Sequence, residues 1–208
     1  MNMNPRTLAS FKDVHKGETI IVCGCGSSLN EFKNPEQFIT IGVNDIGRRF
    51  HPDYLVVVDP RRNFSVKRFQ FVKFSGAKYL FTQLNQGEVK PETVLFRLGR
   101  KGGTDFSNPN ALDYSLNSPY VAMCLAVHMG AARIGMIGVD FTLHHFWGKT
   151  GRHRLTPHLP RIDSHYKKLA HALERRGIRV VNLSPRSRIT AFPKGDIGLL
   201  RNESPAAL

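Results

Sequence analysis

A short turn near the N-terminus carries the residue types that bind phosphate. Gly24 and Gly26 stand two positions apart, and the hydroxyls of Ser27 and Ser28 follow directly. Glycine allows a backbone to bend sharply and to approach a ligand closely. The N–H groups of a helix that starts there favour an anion. The turn therefore predicts a nucleotide-phosphate site, with an ordinary strand-to-helix turn as the alternative. The third glycine of the dinucleotide fingerprint is absent, which favours a mononucleotide.

Polar side chains also follow the ends of later predicted strands. Asn44 follows a strand over residues 38–43, Asp59 follows one over residues 54–58, and Asp140 ends a buried strand further along. In open α/β sheets, ligands bind beyond the carboxyl ends of the strands. These three residues are therefore predicted to line one cleft, although Asn and Asp are also ordinary turn residues.

Two further stretches could supply donors and charge to such a cleft. Ser118 precedes Pro119, which predicts a helix start with Ser118 as its N-cap. Residues 143–162 are irregular and basic, and a stretch of about 20 such residues in a compact domain is usually a lid or a binding loop. We therefore predict a histidine-rich lid loop, which contains His144, His145, Trp147, Lys149, Arg152, His153, Arg154, His158 and Arg161.

The elements that must position these residues follow from the apolar runs. The run over residues 19–23 has no alternation, which is typical of a strand covered on both faces. Similar runs recur along the chain between helix-compatible stretches, and no repeat or linker divides them. The pattern predicts an α/β fold: one Rossmann-like domain over residues 1–208, with a mostly parallel sheet and helices on both faces. Residues 1–16 are predicted to be a loose lead-in and residues 198–208 a tail.

Composition narrows the class of protein and its partners. The 208 residues are 41% hydrophobic and carry a formal net charge of +14, which would attract any polyanion. The basic residues are scattered and do not form one stripe, so a nucleic-acid partner stays an alternative. The three cysteines have no disulfide-framework spacing and fit a reducing cytoplasm, and no apolar run has the length of a membrane span.

Taken in order, these motifs resemble those of bacterial CMP-sialic-acid-dependent sialyltransferases. They are also similar to the related motility-accessory glycosyltransferases and pterin-pyrophosphokinase-like proteins, and the resemblance runs from about residue 19 to 193. Some positions depart from the usual pattern, with Cys25 in place of Asn, Ser27 in place of Pro and Thr142 in place of Tyr. The motifs are the turn at residues 24–28, Asn44, Asp59-Pro60, Ser118, residues 138–141 and residues 182–187.

The resemblance implies a glycosyltransferase that takes a CMP-activated acidic sugar of the sialic-acid type. It implies transfer to a glycan or lipid-sugar acceptor by direct displacement, with a histidine base and no metal cofactor. His158 is the best positional match for that base, and His165 is the second. Candidates to neutralise the leaving phosphate are His144, His145, Arg152 and Arg154. The implied nucleotide- and donor-binding residues are Gly24, Gly26, Ser27, Ser28, Asn44, Asp59, Ser118, Asp140, Phe141, Ser184, Pro185 and Ser187.

Other functions stay open at the level of sequence. A pterin-type pyrophosphokinase on the same core would need ATP and Mg²⁺, for which Asp59 and Asp140 could serve. A basic module that binds nucleic acid or an anionic surface is a third hypothesis. For the glycosyltransferase we expect a cytoplasmic protein, compatible with a peripheral position at the inner membrane face and with a homo-oligomer.

Overall fold

A computed structural model describes residues 6–201 and is built around parallel strands. The strands are β1 (Thr19–Cys23), β2 (Ile39–Val43), β3 (Tyr54–Val56), β4 (Tyr79–Thr82), β5 (Glu92–Leu95), β6 (Arg97–Lys101), β7 (Ala111–Tyr114), β8 (Arg133–Ile137), β9 (His144–His145), β10 (Gly148–Lys149) and β11 (Arg179–Asn182). Seven of them form one sheet in the order β11-β8-β1-β2-β3-β4-β5, and every pairing in it is parallel. The strands β6 and β7 pair separately, and β9 and β10 form a small antiparallel hairpin.

Three α-helices cover the two faces of the sheet. They are α1 (Val66–Lys73), α2 (Ser118–His128) and α3 (Leu159–Glu174). The helices α2 and α3 share one buried apolar cluster with one face of the strands, and α1 belongs to the cluster on the opposite face. Both faces of the central strands are thus buried, which explains why β1 has no alternation of polar and apolar residues. The predicted α/β class, with helices on both faces, is confirmed.

The order of the strands reverses at β1. Strand β2 lies on one side of β1 and β8 on the other, so that Cys23 is in register with both Gly42 and Ile137. The loops that follow β1 and β8 therefore leave the sheet side by side at its carboxyl edge. A crevice at such a switch point is where ligands bind in open α/β sheets.

Parts of the predicted lead-in and tail form short helices. Residues Leu8–Phe11 form a 3₁₀ helix, in which Leu8 and Phe11 are buried, and the Phe11 ring packs edge-on against Phe81 at 4.9 Å. The loose lead-in is therefore wrong for this part of residues 1–16. A second 3₁₀ helix, Ile197–Leu200, buries Leu200, so the predicted tail begins too early. Residues 1–5 and 202–208 lie outside the described residues.

The predicted lid loop at residues 143–162 is partly regular. Its first part is the β9–β10 hairpin, and its last four residues already belong to α3. The helix begins early because Leu159 and Ile162 are buried against the sheet. Among residues 6–201, no helix is both long enough and apolar enough to cross a membrane.

Candidate functional site

A cavity of about 380 Å³ opens at the carboxyl edge of the sheet, beside the switch point at β1. Its volume lies in the range of small-molecule sites, on the order of 300–1,000 Å³. The loops after β1, β2, β3 and β8 line it, together with the start of α2, one side of α1 and the hairpin region. The predicted site residues that line it are Gly26, Asn44, Asp59, Ser118, Asp140, Phe141, His144, His145, Arg152 and Arg154.

The two glycines of the first turn allow close contact between neighbouring loops. Gly24 N–H donates to Ile137 O at 2.7 Å, and Gly26 N–H donates to Gly138 O at 2.7 Å. A Cβ atom at Gly24 would overlap the carbonyl oxygen of Gly138, and one at Gly26 would lie 2.6 Å from the carboxylate carbon of Asp140. The space beside Gly24 is therefore filled by protein backbone, and Gly24 does not line the cavity.

Most of the serine hydroxyls that were predicted to bind the ligand instead take part in a buried hydrogen-bond network. Ser28 donates to the Asp140 carboxylate from its Oγ at 2.5 Å and from its N–H at 2.8 Å. Ser27 Oγ donates to the same carboxylate at 3.2 Å. Ser28 Oγ also lies 2.7 Å from Ser184 Oγ, and both hydroxyls accept from Gly138 N–H. These groups join the loops after β1, β8 and β11 into one rigid wall.

Several residues that were predicted to bind the ligand therefore lie outside the lining of the cavity. Ser28, Ser184 and Ser187 are at most 4% exposed, and Ser187 Oγ donates to Val139 O at 2.6 Å. Pro185 is exposed but lies outside the lining. Six predicted binding residues are thus outside the lining of this cavity, namely Gly24, Ser27, Ser28, Ser184, Pro185 and Ser187.

Two residues of the cavity wall have left-handed backbone conformations. Asn44 has φ +54° and Phe141 has φ +56°. Asparagine adopts this region fairly readily, whereas a bulky aromatic residue there is an outlier. Such strain persists only where the surrounding structure imposes it, and it clusters at functional sites. The loop after β8 is therefore held in a costly conformation directly at the cavity.

The N-terminus of α2 faces the cavity, but its cap is Asn117 and not Ser118. Asn117 Oδ1 accepts from Tyr120 N–H and from the Tyr166 hydroxyl, both at 3.0 Å. Ser118 instead donates to Asn44 Oδ1 at 3.3 Å. The other amide atom of the cap, Asn117 Nδ2, is buried and has no hydrogen-bond partner among residues 6–201. Sequence reasoning missed Asn117, although Asn is among the strongest N-caps.

Arginine side chains supply positive charge to the same cavity. Arg68, on α1, donates to both carboxylate oxygens of the buried Asp45, at 3.0 and 2.6 Å. This bidentate hydrogen bonding raises the pKa of Arg68, which keeps its charge and a fixed orientation. Arg154 lies 3.5 Å from Asp59. Sequence reasoning missed Arg68 because nothing in α1 itself marks the residue as part of the site.

Two histidines of the hairpin region line the cavity as a stack. The rings of His145 and His153 are 5.8 Å apart, and Trp147 covers His145 at 4.6 Å. Burial lowers the pKa of both His145 and His153. Both rings are therefore neutral near pH 7. His145 Nδ1 lies 2.5 Å from Thr150 Oγ1, and His153 Nδ1 accepts from Leu155 N–H at 3.1 Å.

The two histidines predicted as bases are elsewhere. His158 is exposed in a 3₁₀ turn before α3 and does not line the cavity. His165 is buried in α3, where its Nδ1 lies 2.9 Å from Ser115 Oγ, and the backbone of Gly102 packs against its ring. His158 lies outside the cavity lining because α3 begins at Leu159, earlier than the sequence suggested, and His158 directly precedes it.

The hairpin is joined to the first turn by main-chain contacts. His145 forms a β-bridge with Gly26, Phe146 N–H donates to Cys25 O at 3.1 Å, and Asn30 Nδ2 donates to Phe146 O at 3.0 Å. The hairpin thus lines one side of the cavity. Within residues 6–201, no group of three or more His, Cys, Asp or Glu side chains is arranged to hold a metal ion.

These features define a Rossmann-like α/β protein whose cavity at the strand-order switch is lined by three arginines and two aspartates. Solved structures share this fold. The MAf glycosyltransferase from Magnetospirillum magneticum AMB-1 aligns with a TM-score of 0.55 at 14% identity, over 95% of this chain and 38% of that one. The sialyltransferase CstII from Campylobacter jejuni, in complex with cytidine-5′-monophosphate, aligns with a TM-score of 0.52 at 11% identity, over 90% of this chain and 88% of that one.

A third structure supports the same conclusion about the fold. The sialyltransferase CST-II in complex with a trisaccharide acceptor and CMP aligns with a TM-score of 0.53 at 16% identity, over 89% of this chain and 88% of that one. No protein-family model matches the sequence, and no curated protein matches it. The resemblance inferred from the motifs is thus confirmed for the fold, and this chain spans about 38% of the length of the MAf glycosyltransferase.

Proposed function

We propose that this protein is a glycosyltransferase that binds a CMP-activated acidic sugar of the sialic-acid type and transfers the sugar to a glycan or lipid-sugar acceptor. The observation that carries this proposal is a cavity at the strand-order switch where a helix N-terminus and three arginines meet. The N-terminus of α2 faces it, and the side chains of Arg68, Arg152 and Arg154 surround it. Helix N-termini and arginines both favour phosphate and carboxylate groups. Structures with this fold include sialyltransferases determined with CMP.

The nucleotide phosphate is proposed to bind between the α2 N-terminus and Arg154. Asn117 offers Nδ2 there, and an unpaired buried donor is costly until a partner satisfies it. That atom is almost covered by its neighbours, so a ligand that uses it displaces part of this cover. The positive charge of the arginines and the helix N-terminus offsets the charge that develops on the leaving phosphate. The proposed reaction therefore needs no metal ion.

His145 is the proposed general base. When its Nδ1–H donates to Thr150 Oγ1, the lone pair of the neutral ring lies on Nε2, which can accept a proton. The acceptor hydroxyl oxygen then bonds to the anomeric carbon and its proton goes to His145 Nε2. The bond from that carbon to the phosphate oxygen breaks, and its electron pair leaves with CMP.

His153 suits a different role in the same reaction. Its Nδ1 accepts a backbone hydrogen bond from Leu155, so the proton of the neutral ring is on Nε2. A ring in this tautomer donates a hydrogen bond and does not take a proton at Nε2. We propose that His153 donates to the leaving phosphate.

The proposed setting of the reaction follows from the cysteines and the charge. Cys23, Cys25 and Cys124 are unpaired, and burial raises the pKa of all three thiols, which stay protonated. Unpaired cysteines suit a reducing compartment such as the cytoplasm. The net charge of +14 suits contact with an anionic inner membrane surface.

The pyrophosphokinase hypothesis is less well supported. It requires carboxylates for Mg²⁺, and the two oxygens of Asp140 already accept hydrogen bonds from Ser27 and Ser28. Of the two predicted carboxylates, only Asp59 keeps some exposure.

A nucleotide panel tests the proposal. CMP, UMP, GDP and ATP with Mg²⁺ are compared by thermal shift and calorimetry, and release of CMP from CMP-sialic acid is followed with lactose as acceptor. We expect CMP to bind most tightly. A protein that binds none of the cytidine nucleotides contradicts the proposed donor, and consumption of ATP with a dihydropterin supports the pyrophosphokinase instead.

A further inference from the structure

A second depression adjoins the main cavity on the side of the strained loop after β8. It shares part of its wall with the main cavity, namely Phe141, Thr142, His144 and Arg152, and Arg188 completes its rim. A molecule in this depression therefore lies next to a molecule in the main cavity. In a reaction with two substrates, such a shared wall is where the two reacting groups meet.

The charge of this depression is positive and uncompensated. Arg152 and Arg188 are both exposed, and within residues 6–201 neither has a carboxylate oxygen within 4.0 Å. Arg186 provides a contrast, because it stands two residues before Arg188 and is paired with Glu31 at 2.7 Å. The same loop thus carries one neutralised guanidinium and one that is available to a ligand.

The backbone that carries Arg188 is fixed. Arg188 N–H donates to Asp140 O at 3.0 Å, and Ser187 Oγ donates to Val139 O at 2.6 Å. These bonds attach the loop after β11 to the loop after β8, which contains the left-handed Phe141. The backbone at Arg188 is therefore held in place before a ligand binds, which lowers the entropy cost of binding.

We propose that this second depression binds an anionic group, a phosphate or a carboxylate, on the acceptor sugar. The inference rests on the proposed function, because it takes the main cavity as the donor site. Arg152 and Arg188 form charge-assisted hydrogen bonds with the anion, and the acceptor hydroxyl reaches across the shared wall into the main cavity. Arginine suits this role because its planar group matches carboxylate and phosphate oxygens in pairs.

The experiment compares three matched sugars at a fixed, low ionic strength. Galactose is neutral, galacturonate carries a carboxylate and galactose 6-phosphate carries a phosphate. Their binding to the full chain saturated with CMP is measured by ligand-observed NMR. We expect the anionic sugars to bind about tenfold more tightly than galactose, since hydrogen bonds to a charged group are stronger than those to a neutral one, and to lose that preference at high salt.

Variants then assign the preference to the two arginines. Arg188→Gln is expected to bind the anionic sugars several-fold more weakly and galactose unchanged. Arg152→Gln/Arg188→Gln, which also removes an arginine of the main cavity, is expected to bind the anionic sugars more weakly still. The matched control is Arg97→Gln, which removes the same charge from an exposed position on β6. Whichever anionic sugar binds more tightly identifies the source of the charge.

The outcomes separate this proposal from the proposed function. If CMP does not bind to the unaltered chain, the donor proposal fails, and the sugars are then compared without nucleotide. Equal binding of galactose and both anionic sugars overturns the anionic subsite. So does a preference that survives in the double variant, or one that Arg97→Gln weakens as much. Calorimetry of CMP on each variant shows whether the donor site is intact.

Discussion

Asn117→Asp tests separately the two roles of Asn117, which caps α2 and is proposed to contact the nucleotide phosphate. The carboxylate keeps an acceptor oxygen where Asn117 Oδ1 now accepts from Tyr120 N–H and the Tyr166 hydroxyl. It replaces the unpaired Nδ2 donor with a second oxygen. Because a negative charge near a helix N-terminus is favourable by about 0.3–1 kcal/mol, the stability of the folded protein should change little.

Binding of CMP should weaken strongly in this variant. The new carboxylate stands on the cavity wall at which the phosphate is proposed to bind. At a separation on the order of 6 Å and an effective dielectric constant of about 20, two unit negative charges repel by about 3 kcal/mol. That repulsion corresponds to a dissociation constant raised roughly 100-fold. The assay is calorimetry of CMP at pH 7.5, with chemical denaturation of the unliganded protein beside it.

Asn117→Ala is the matched control for this prediction. It removes the cap acceptor as well as the donor, so it should lower the free energy of unfolding by about 0.5–2 kcal/mol, as loss of an N-cap does. It introduces no charge, so it should weaken CMP binding less than Asn117→Asp does. The reasoning is refuted if Asn117→Asp binds CMP like the unaltered chain, or if it loses as much stability as Asn117→Ala.

Three further predictions follow from the wall and the histidines. Gly24→Ala should lower the free energy of unfolding by about 1–3 kcal/mol because its Cβ meets a neighbouring backbone carbonyl; unchanged denaturation curves would contradict this. Ser28→Ala should lower the free energy of unfolding by about 1–3 kcal/mol because it removes a buried hydrogen-bond partner of Asp140. It should change CMP affinity little in calorimetry. A large loss of CMP affinity with little loss of stability would indicate that Ser28 contacts the ligand. His145→Gln should lower transfer about 10²- to 10⁴-fold. Because burial lowers the pKa of His145, the unaltered protein should lose kcat/KM only as the pH falls below 6.5, where the ring gains a proton. His158→Gln should keep both the transfer rate and its dependence on pH.

The sheet was predictable because its signal is local. Each central strand is an apolar run buried on both faces, and the polar residue after it must then lie at the carboxyl edge. Asn44, Asp59 and Asp140 were placed at one cavity on that argument alone. The predicted cap at Ser118 was wrong by one residue, because both Asn and Ser are good caps and the sequence did not decide between them.

The hydrogen-bond partners of the serine hydroxyls were not predictable, because those partners are far away in the sequence. Ser28 and Asp140 are 112 residues apart, and Ser28 and Ser184 are 156 residues apart. A serine after a glycine turn looks the same in a sequence whether it contacts a ligand or a carboxylate of another loop. The histidines that line the cavity could not be identified for a similar reason. Spacing favoured His158, whereas stacking of His145 on Trp147 is a property of the folded hairpin.

The position of the proposed phosphate site follows from this network. Since the backbone of Gly138 fills the space beside Gly24 and Ser28 N–H already donates to Asp140, we expect the phosphate to bind elsewhere on the cavity wall. The proposed anion site on the same cavity is the N-terminus of α2. The Gly-x-Gly turn therefore belongs to the wall that holds the loop after β8 in place, and we expect the charge of the ligand to be met by α2 and the arginines. On this account Ser28→Ala should affect mainly stability and Asn117→Asp mainly affinity. A phosphate bound in the first turn would give the opposite pattern.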